Sequence, residues 1–191
     1  MADATGEGYP LVLQSGADPS TLGGVAVCGL TTVGSVGVIA ASHLIASLGL
    51  KPMGTVIHPE FPAVALIQES VPKHPVRVYQ GEEMGVFISE IQFPQASDFQ
   101  FGNTVLEWFQ KGGFDRLVII DGLVSEDLGL KEDGDIWGVA SLQSGRDALD
   151  TVGIQRIQQG IVTGVSGFLL AEGERQGLDT VSYTHLRAHE T

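Results

Sequence analysis

The chain has 191 residues, 43% of them apolar and 17% charged, with 23 acidic against 10 basic side chains for a net charge of −13. That length suits one domain with a substantial core, and the charge balance argues against nucleic acid or an anionic membrane surface, both of which need clustered Lys and Arg. The single cysteine, Cys28, leaves no internal disulfide, and the longest apolar stretch, Val33 to Leu50, is too interrupted by Gly34, Gly37, Ser42, His43 and Ser47 to span a membrane.

Residues 1–22 read as an irregular lead-in with one edge strand at Tyr9 to Gln14. Its start, MADATGEGYP, lacks the basic-then-apolar layout of a signal peptide, so a cytoplasmic protein is expected. GGVAVCGL is a short continuous apolar run, as in a strand covered on both faces. Val33, Val36, Ile39, Ala40, Leu44 and Leu48 then recur at helical spacing, with Thr31 or Thr32 placed to cap the helix and Gly49 to end it. Five prolines between Pro52 and Pro75 forbid a long helix there, and short strands are expected at Met53 to Ile57, Ala63 to Gln68 and Val76 to Tyr79. Gly85 to Phe93 reads as another strand. Asp98 to Gly113 reads as a helix whose apolar face holds Phe101, Val105, Trp108 and Phe109.

Arg116 to Ile120 is a strong buried strand ending at Asp121-Gly122. An acidic loop, Ser125 to Asp135, precedes a strand in IWGVASL, a short helix in SGRDALDTVG capped by Ser144, a strand in GIQRI and a helix in GIVTGVSGFLLAEGERQG. The alternation predicts a three-layer α/β/α sandwich on a mainly parallel central sheet, residues 23–181, with helices on both faces. One more strand is expected from Leu178 onward, then a final helix. The chain turns instead to SYTHLRAHET, Ser182 to Thr191. A domain ending here would be incomplete at its carboxyl end, lacking a sheet strand and exposing apolar surface on its last helix.

No catalytic constellation is visible. CGLTTVGSVG sits where phosphate-binding loops sit, but no Lys follows Gly34 and Ser35, and G-x-G-x-x-G fails as well. Thr31, Thr32, Gly34, Ser35 and Gly37 are either a weak anion-binding loop before a helix or a tight turn allowing close helix–sheet packing. Asp121, at the carboxyl edge of its strand, is either a ligand-binding acid or an ordinary turn residue before Gly122. Glu90 reads as an exposed strand residue or a site acid. Cys28 reads as a small core residue. G-V-S-G at Gly164 to Gly167 falls one residue short of a nucleophile elbow, and Glu132, Asp133 and Asp135 lack the order of a calcium loop. No cofactor and no metal site are expected.

VCGLTTVGSVGVIAASHLIASLGLKPMGTVIHPEFP, GVFISEIQFP, WFQKGGFDRLVIIDGL and GIVTGVSGFLLAEGERQGLDT together resemble the archaeal-type proteasome assembly chaperone family, from about Val25 to Thr180. The resemblance implies a phosphorylase-like α/β/α fold, no enzymatic residues, a homo-oligomer, and proteasome α-subunits as partners through a C-terminal hydrophobic–Tyr–any tripeptide. This chain ends in HET instead, and SYTHLRAHET resembles a translated sequencing adapter, so residues 182–191 are expected to be a non-native tail. His185 and His189, at helical i, i+4 spacing, are then not a metal pair. The expected function is a non-enzymatic assembly chaperone or proteasome adaptor. The alternative is a phosphorylase-like enzyme acting on a nucleoside or related small molecule, with Thr31 to Gly37 as its anion site, Asp121 or Glu90 as its acid, and Ser35 and Arg116 as candidate phosphate ligands.

Overall fold

The computed structural model describes residues 8–14, 17, 23–59, 61–92, 94–124 and 136–187. Along the chain stand β1 (Leu11–Leu13), β2 (Val25–Leu30), α1 (Val36–Ser47), β3 (Lys51–Val56), β4 (Leu66–Gln68), β5 (Val71–Lys73), β6 (Val76–Gln80) and β7 (Met84–Ser89). Then follow α2 (Asp98–Lys111), β8 (Arg116–Val124), β9 (Ile136–Ala140), α3 (Gln143–Thr151), β10 (Gln155–Arg156), α4 (Gly164–Gln176) and β11 (Thr180–Arg187).

Nine strands form one sheet in the order β1-β3-β6-β7-β2-β8-β11-β9-β10, and β4 and β5 form a separate hairpin. The centre is parallel: β7, β2, β8 and β11 run together, while β6 and β9 flank them antiparallel. Such a centre must be covered on both faces, because a buried parallel ladder offers apolar side chains in both directions. Ala26, Cys28, Phe87, Leu117 and Ile119 face one layer with Phe101, Val105, Trp108 and Phe109 of α2 and Val165 and Leu169 of α4. Val27, Val86 and Ile88 face the other with Ala41 of α1, and Leu149 of α3 packs with Ala140 and Val181. This is the expected α/β/α sandwich.

Packing distances explain the glycine-rich start of α1. A Cβ on Gly29 would come within 2.4 Å of the Gly37 carbonyl oxygen, and one on Gly37 within 2.3 Å of that of Ile120. Helix and sheet therefore touch backbone to backbone, which no larger residue permits.

Several local expectations are corrected. Thr31 and Thr32 do not cap α1. Its N-cap is Ser35, in the left-handed region at φ 52° and with no side-chain cap bond. Ser144 does not cap α3, which follows Leu142; its hydroxyl bonds Asp179 at 2.9 Å. The strand from Gly85 stops at Ser89, and the last helix begins only at Gly164, whose φ of +69° keeps the residues before it out of the helix. β5 was not expected, since Pro72 lies within it; it survives as one side of a two-stranded hairpin turned by Glu69 and Ser70 at positive φ.

The strand expected from Leu178 is formed by Thr180–Arg187, between β8 and β9. It includes Ser182 to Arg187, so the expectation that a chain turning to SYTHLRAHET would lack this strand is corrected: the first residues of the tail pair in register with β8 on one side and β9 on the other. The acidic loop from Ser125 to Asp135, most of the lead-in, and His189 lie outside the described residues. Among the described residues no helix is long and apolar enough to cross a membrane.

Candidate functional site

β7, β2 and β8 end side by side, but β2 leads to α1 on one face and β7 to α2 on the other. Connections that part to opposite faces leave a crevice at the strands' carboxyl ends, the usual ligand position of an open α/β sheet. Here it is a cleft of about 640 Å³, walled by the loop after β2, the ends of β7 and β8, and the starts of α2 and α4.

The loop after β2 is tied down on both sides. The Thr31 hydroxyl donates to the Ser89 carbonyl at 2.8 Å, joining it to β7. The Thr32 hydroxyl accepts the Gly122 N–H at 3.1 Å, joining it to β8. A Cβ on Gly122 would stand 2.0 Å from the Val33 carbonyl oxygen, so glycine is required for this approach. Thr31, Thr32, Gly34 and Ser35 line the cleft. Gly37 does not; it is in the first turn of α1, packed against the Ile120 carbonyl of β8.

Asp121 lines the cleft at 3% exposure, its Oδ1 accepting the N–H of Gly122 at 2.7 Å. Its charge reaches Cys28 on the neighbouring strand. Burial first, and Asp121 second, push the Cys28 thiol far up, so it is a neutral core group. Asp98, at the start of α2, also lines the cleft, and burial raises its carboxyl above the ordinary value. Ser166, in the first turn of α4, is 2% exposed and lines it too.

Glu90 is elsewhere. It follows β7 and turns to the α1 face, where it pairs with Arg77, whose guanidinium also donates to the Tyr79 hydroxyl at 3.0 Å and the His74 carbonyl at 2.7 Å. It is a structural counter-ion, neither an exposed strand residue nor an acid of the cleft. Arg116 is at the opposite end of β8, bonded to Asp179 at 2.8 Å. It cannot join Ser35 at a phosphate. The described lining contains no Lys, Arg or His, so an anion would meet only backbone N–H groups and partial helix charge. No group of three or more His, Cys, Asp or Glu able to hold a metal occurs among the described residues.

Thr31, Thr32, Gly34, Ser35 and Asp121 thus line one cleft, which the sequence alone grouped only under its alternative reading. It also missed Asp98, which looks like an ordinary helix-start acid, and Ser166, which looks like a failed nucleophile elbow. Asp98 carried a signal, since it opens the helix that follows β7 and so stands at that strand's carboxyl end; Ser166 carried none, because α4 follows β10, which runs antiparallel to β7, β2 and β8.

A family model described as the PAC2 family matches residues 26–189. Among solved structures the chain is similar to PbaA of Pyrococcus furiosus, described as an archaeal homolog of proteasome-assembly chaperone. That match has 25% identity and a TM-score of 0.80, covering 93% of this chain and 76% of that one. PbaB of the same organism, described as an archaeal proteasome activator, matches at 18% identity and a TM-score of 0.74, covering 95% and 81%. A PAC2 family protein from Streptomyces avermitilis matches at 17% identity and a TM-score of 0.64, covering 88% and 77%. The two latter matches speak for the fold. No curated protein matches the chain.

Proposed function

Because the chain belongs to the PAC2 family over residues 26–189, we propose that it is a non-enzymatic proteasome assembly chaperone or proteasome-associated adaptor that binds proteasome α-subunits. The observation carrying this reading is the likeness to PbaA, the archaeal homolog of proteasome-assembly chaperone, which covers 93% of this chain. The net charge of −13 suits basic patches on a partner. Large aliphatic side chains at Ile39, Ile67, Val152 and Ile161 are each more than half exposed, which suits homo-oligomerisation.

The test is direct. Purified proteasome α-subunits are passed over the immobilised chain, and retention that falls with rising salt is expected. No retention at low salt counts against the proposal. Light scattering should give at least twice the 20.1 kDa of one chain; a monomer would remove the oligomer from the proposal.

The position of the cleft at the strands' carboxyl ends motivates a second reading, a phosphorylase-like enzyme acting on a nucleoside or related small molecule. It has the acid Asp121 but no side-chain cation for phosphate among the described lining. Isothermal titration with phosphate plus a nucleoside tests it, and absence of heat sinks it.

A further inference from the structure

We propose that the cleft at the carboxyl ends of β7, β2 and β8 binds a small organic cation, an amine carrying hydroxyl or carbonyl groups, through Asp98, Asp121 and Ser166.

Size permits it: about 640 Å³ lies within the roughly 300–1,000 Å³ of small-molecule sites. Charge selects the ligand. Two carboxylates line the cleft, and no basic side chain among the described residues does. They are not equivalent. Asp121 already accepts an N–H from Gly122. The Asp98 carboxylate has no protein donor or cation among the described residues, and burial alone raises its pKa. A partly desolvated carboxylate without a partner is a free energy cost that a bound cation removes.

Ser166 points to a ligand independently. It is 98% removed from solvent by its 2% exposure, it borders the cleft, and no protein group among the described residues bonds its hydroxyl. Other buried helix hydroxyls do find partners: that of Thr104 donates to the Gln100 carbonyl one turn back at 3.0 Å. Opposite Asp98, Gly164 keeps the way open. A Cβ there would approach Asp98 Oδ2 to 3.8 Å, and φ +69° disfavours any side chain.

The starts of α1, α2 and α4 add partial positive charge, about half a unit each. They would repel a bare polyamine near the backbone and welcome oxygen acceptors. An amine beside hydroxyls satisfies both halves of the wall, with the amine on Asp98 and Asp121 and the oxygens toward Ser166, Thr31 and Thr32.

The test is calorimetric titration of the intact chain at physiological salt with glucosamine, glucose and inorganic phosphate as probes. Saturable binding of glucosamine, with none for glucose or phosphate, is expected. Asp98→Asn should weaken it about tenfold or more, and Ser166→Ala severalfold, in variants that melt cooperatively. Phosphate or glucose binding in place of glucosamine overturns the proposal, as does no saturable heat for glucosamine. So does equal weakening by Glu107→Gln, an exposed acid outside the cleft, since that would mark binding to the acidic surface at large.

Discussion

Cys28 on β2 and Ser182 on β11 flank the same residue. Both are in register with Ile119 of β8, one on each side, both fully buried and pointing to the α2/α4 layer. Their strands differ in chemistry. β2 reads VAVCGL, and its buried side chains are apolar or a neutral thiol. β11 buries Thr180, Ser182 and Thr184 on that layer. The Thr184 hydroxyl reaches the Trp137 carbonyl at 3.1 Å, but Thr180 Oγ1 and Ser182 Oγ have no partner among the described residues. The backbone ladder accepts both sequences, because its hydrogen bonds do not depend on side chains. Burial is therefore set by position in the sheet, while the side chains decide how much stability that position returns.

Five measurements sharpen the contrast, beginning with the neighbour the strands share. Ile119→Ala should cost about 3–4 kcal/mol in urea unfolding, since it removes the contact surface of both strands at once. A loss under about 1 kcal/mol would mean that the two strands do not pack through this residue.

The isosteric exchanges come next and carry opposite signs. Cys28→Ser places a hydroxyl in an apolar layer and should cost about 1–3 kcal/mol. Ser182→Cys removes an unpartnered hydroxyl and should add about 1 kcal/mol. Equal effects of one sign would break the comparison. The same burial makes the Cys28 thiol inert: it should resist Ellman's reagent in the folded chain and react once urea unfolds it.

The smallest effect is at the cleft. Burial holds the Asp98 carboxyl above its ordinary 3.8. An acid with a raised folded pKa binds its proton more tightly when folded. Its contribution is intact below 3.8 and is lost as pH rises through the folded value. Asp98→Asn should therefore gain melting temperature relative to the parent between acidic and neutral pH. A constant gap would show that Asp98 titrates as if unfolded.

Much of the fold was legible. Continuous apolar runs marked β2 and β8, helical spacing marked α1 and α2, and Gly49 with φ +59° ended α1 as expected. The errors fell at boundaries. Thr31 and Thr32 looked like caps because they precede an apolar helix, but their hydroxyls bond Ser89 and Gly122 on other strands. Glu90 looked exposed by alternation, yet the chain leaves the sheet at Ser89 and carries it to Arg77. Each of these bonds joins residues distant in the chain, and local spacing holds no record of them.

The sequence by itself determined the alternation of strands and helices, the apolar layers and the acidic surface, because periodicity and composition are local properties of the chain. Tertiary structure alone decided that Asp98, Asp121 and Ser166 share a cleft, that Arg116 lies away from it, and that a hydroxyl-bearing strand occupies the middle of the sheet. The physical reason is the same in each case. Strand order and the face taken by each crossover bring together groups separated by tens of residues, and those choices are made by packing the whole domain at once.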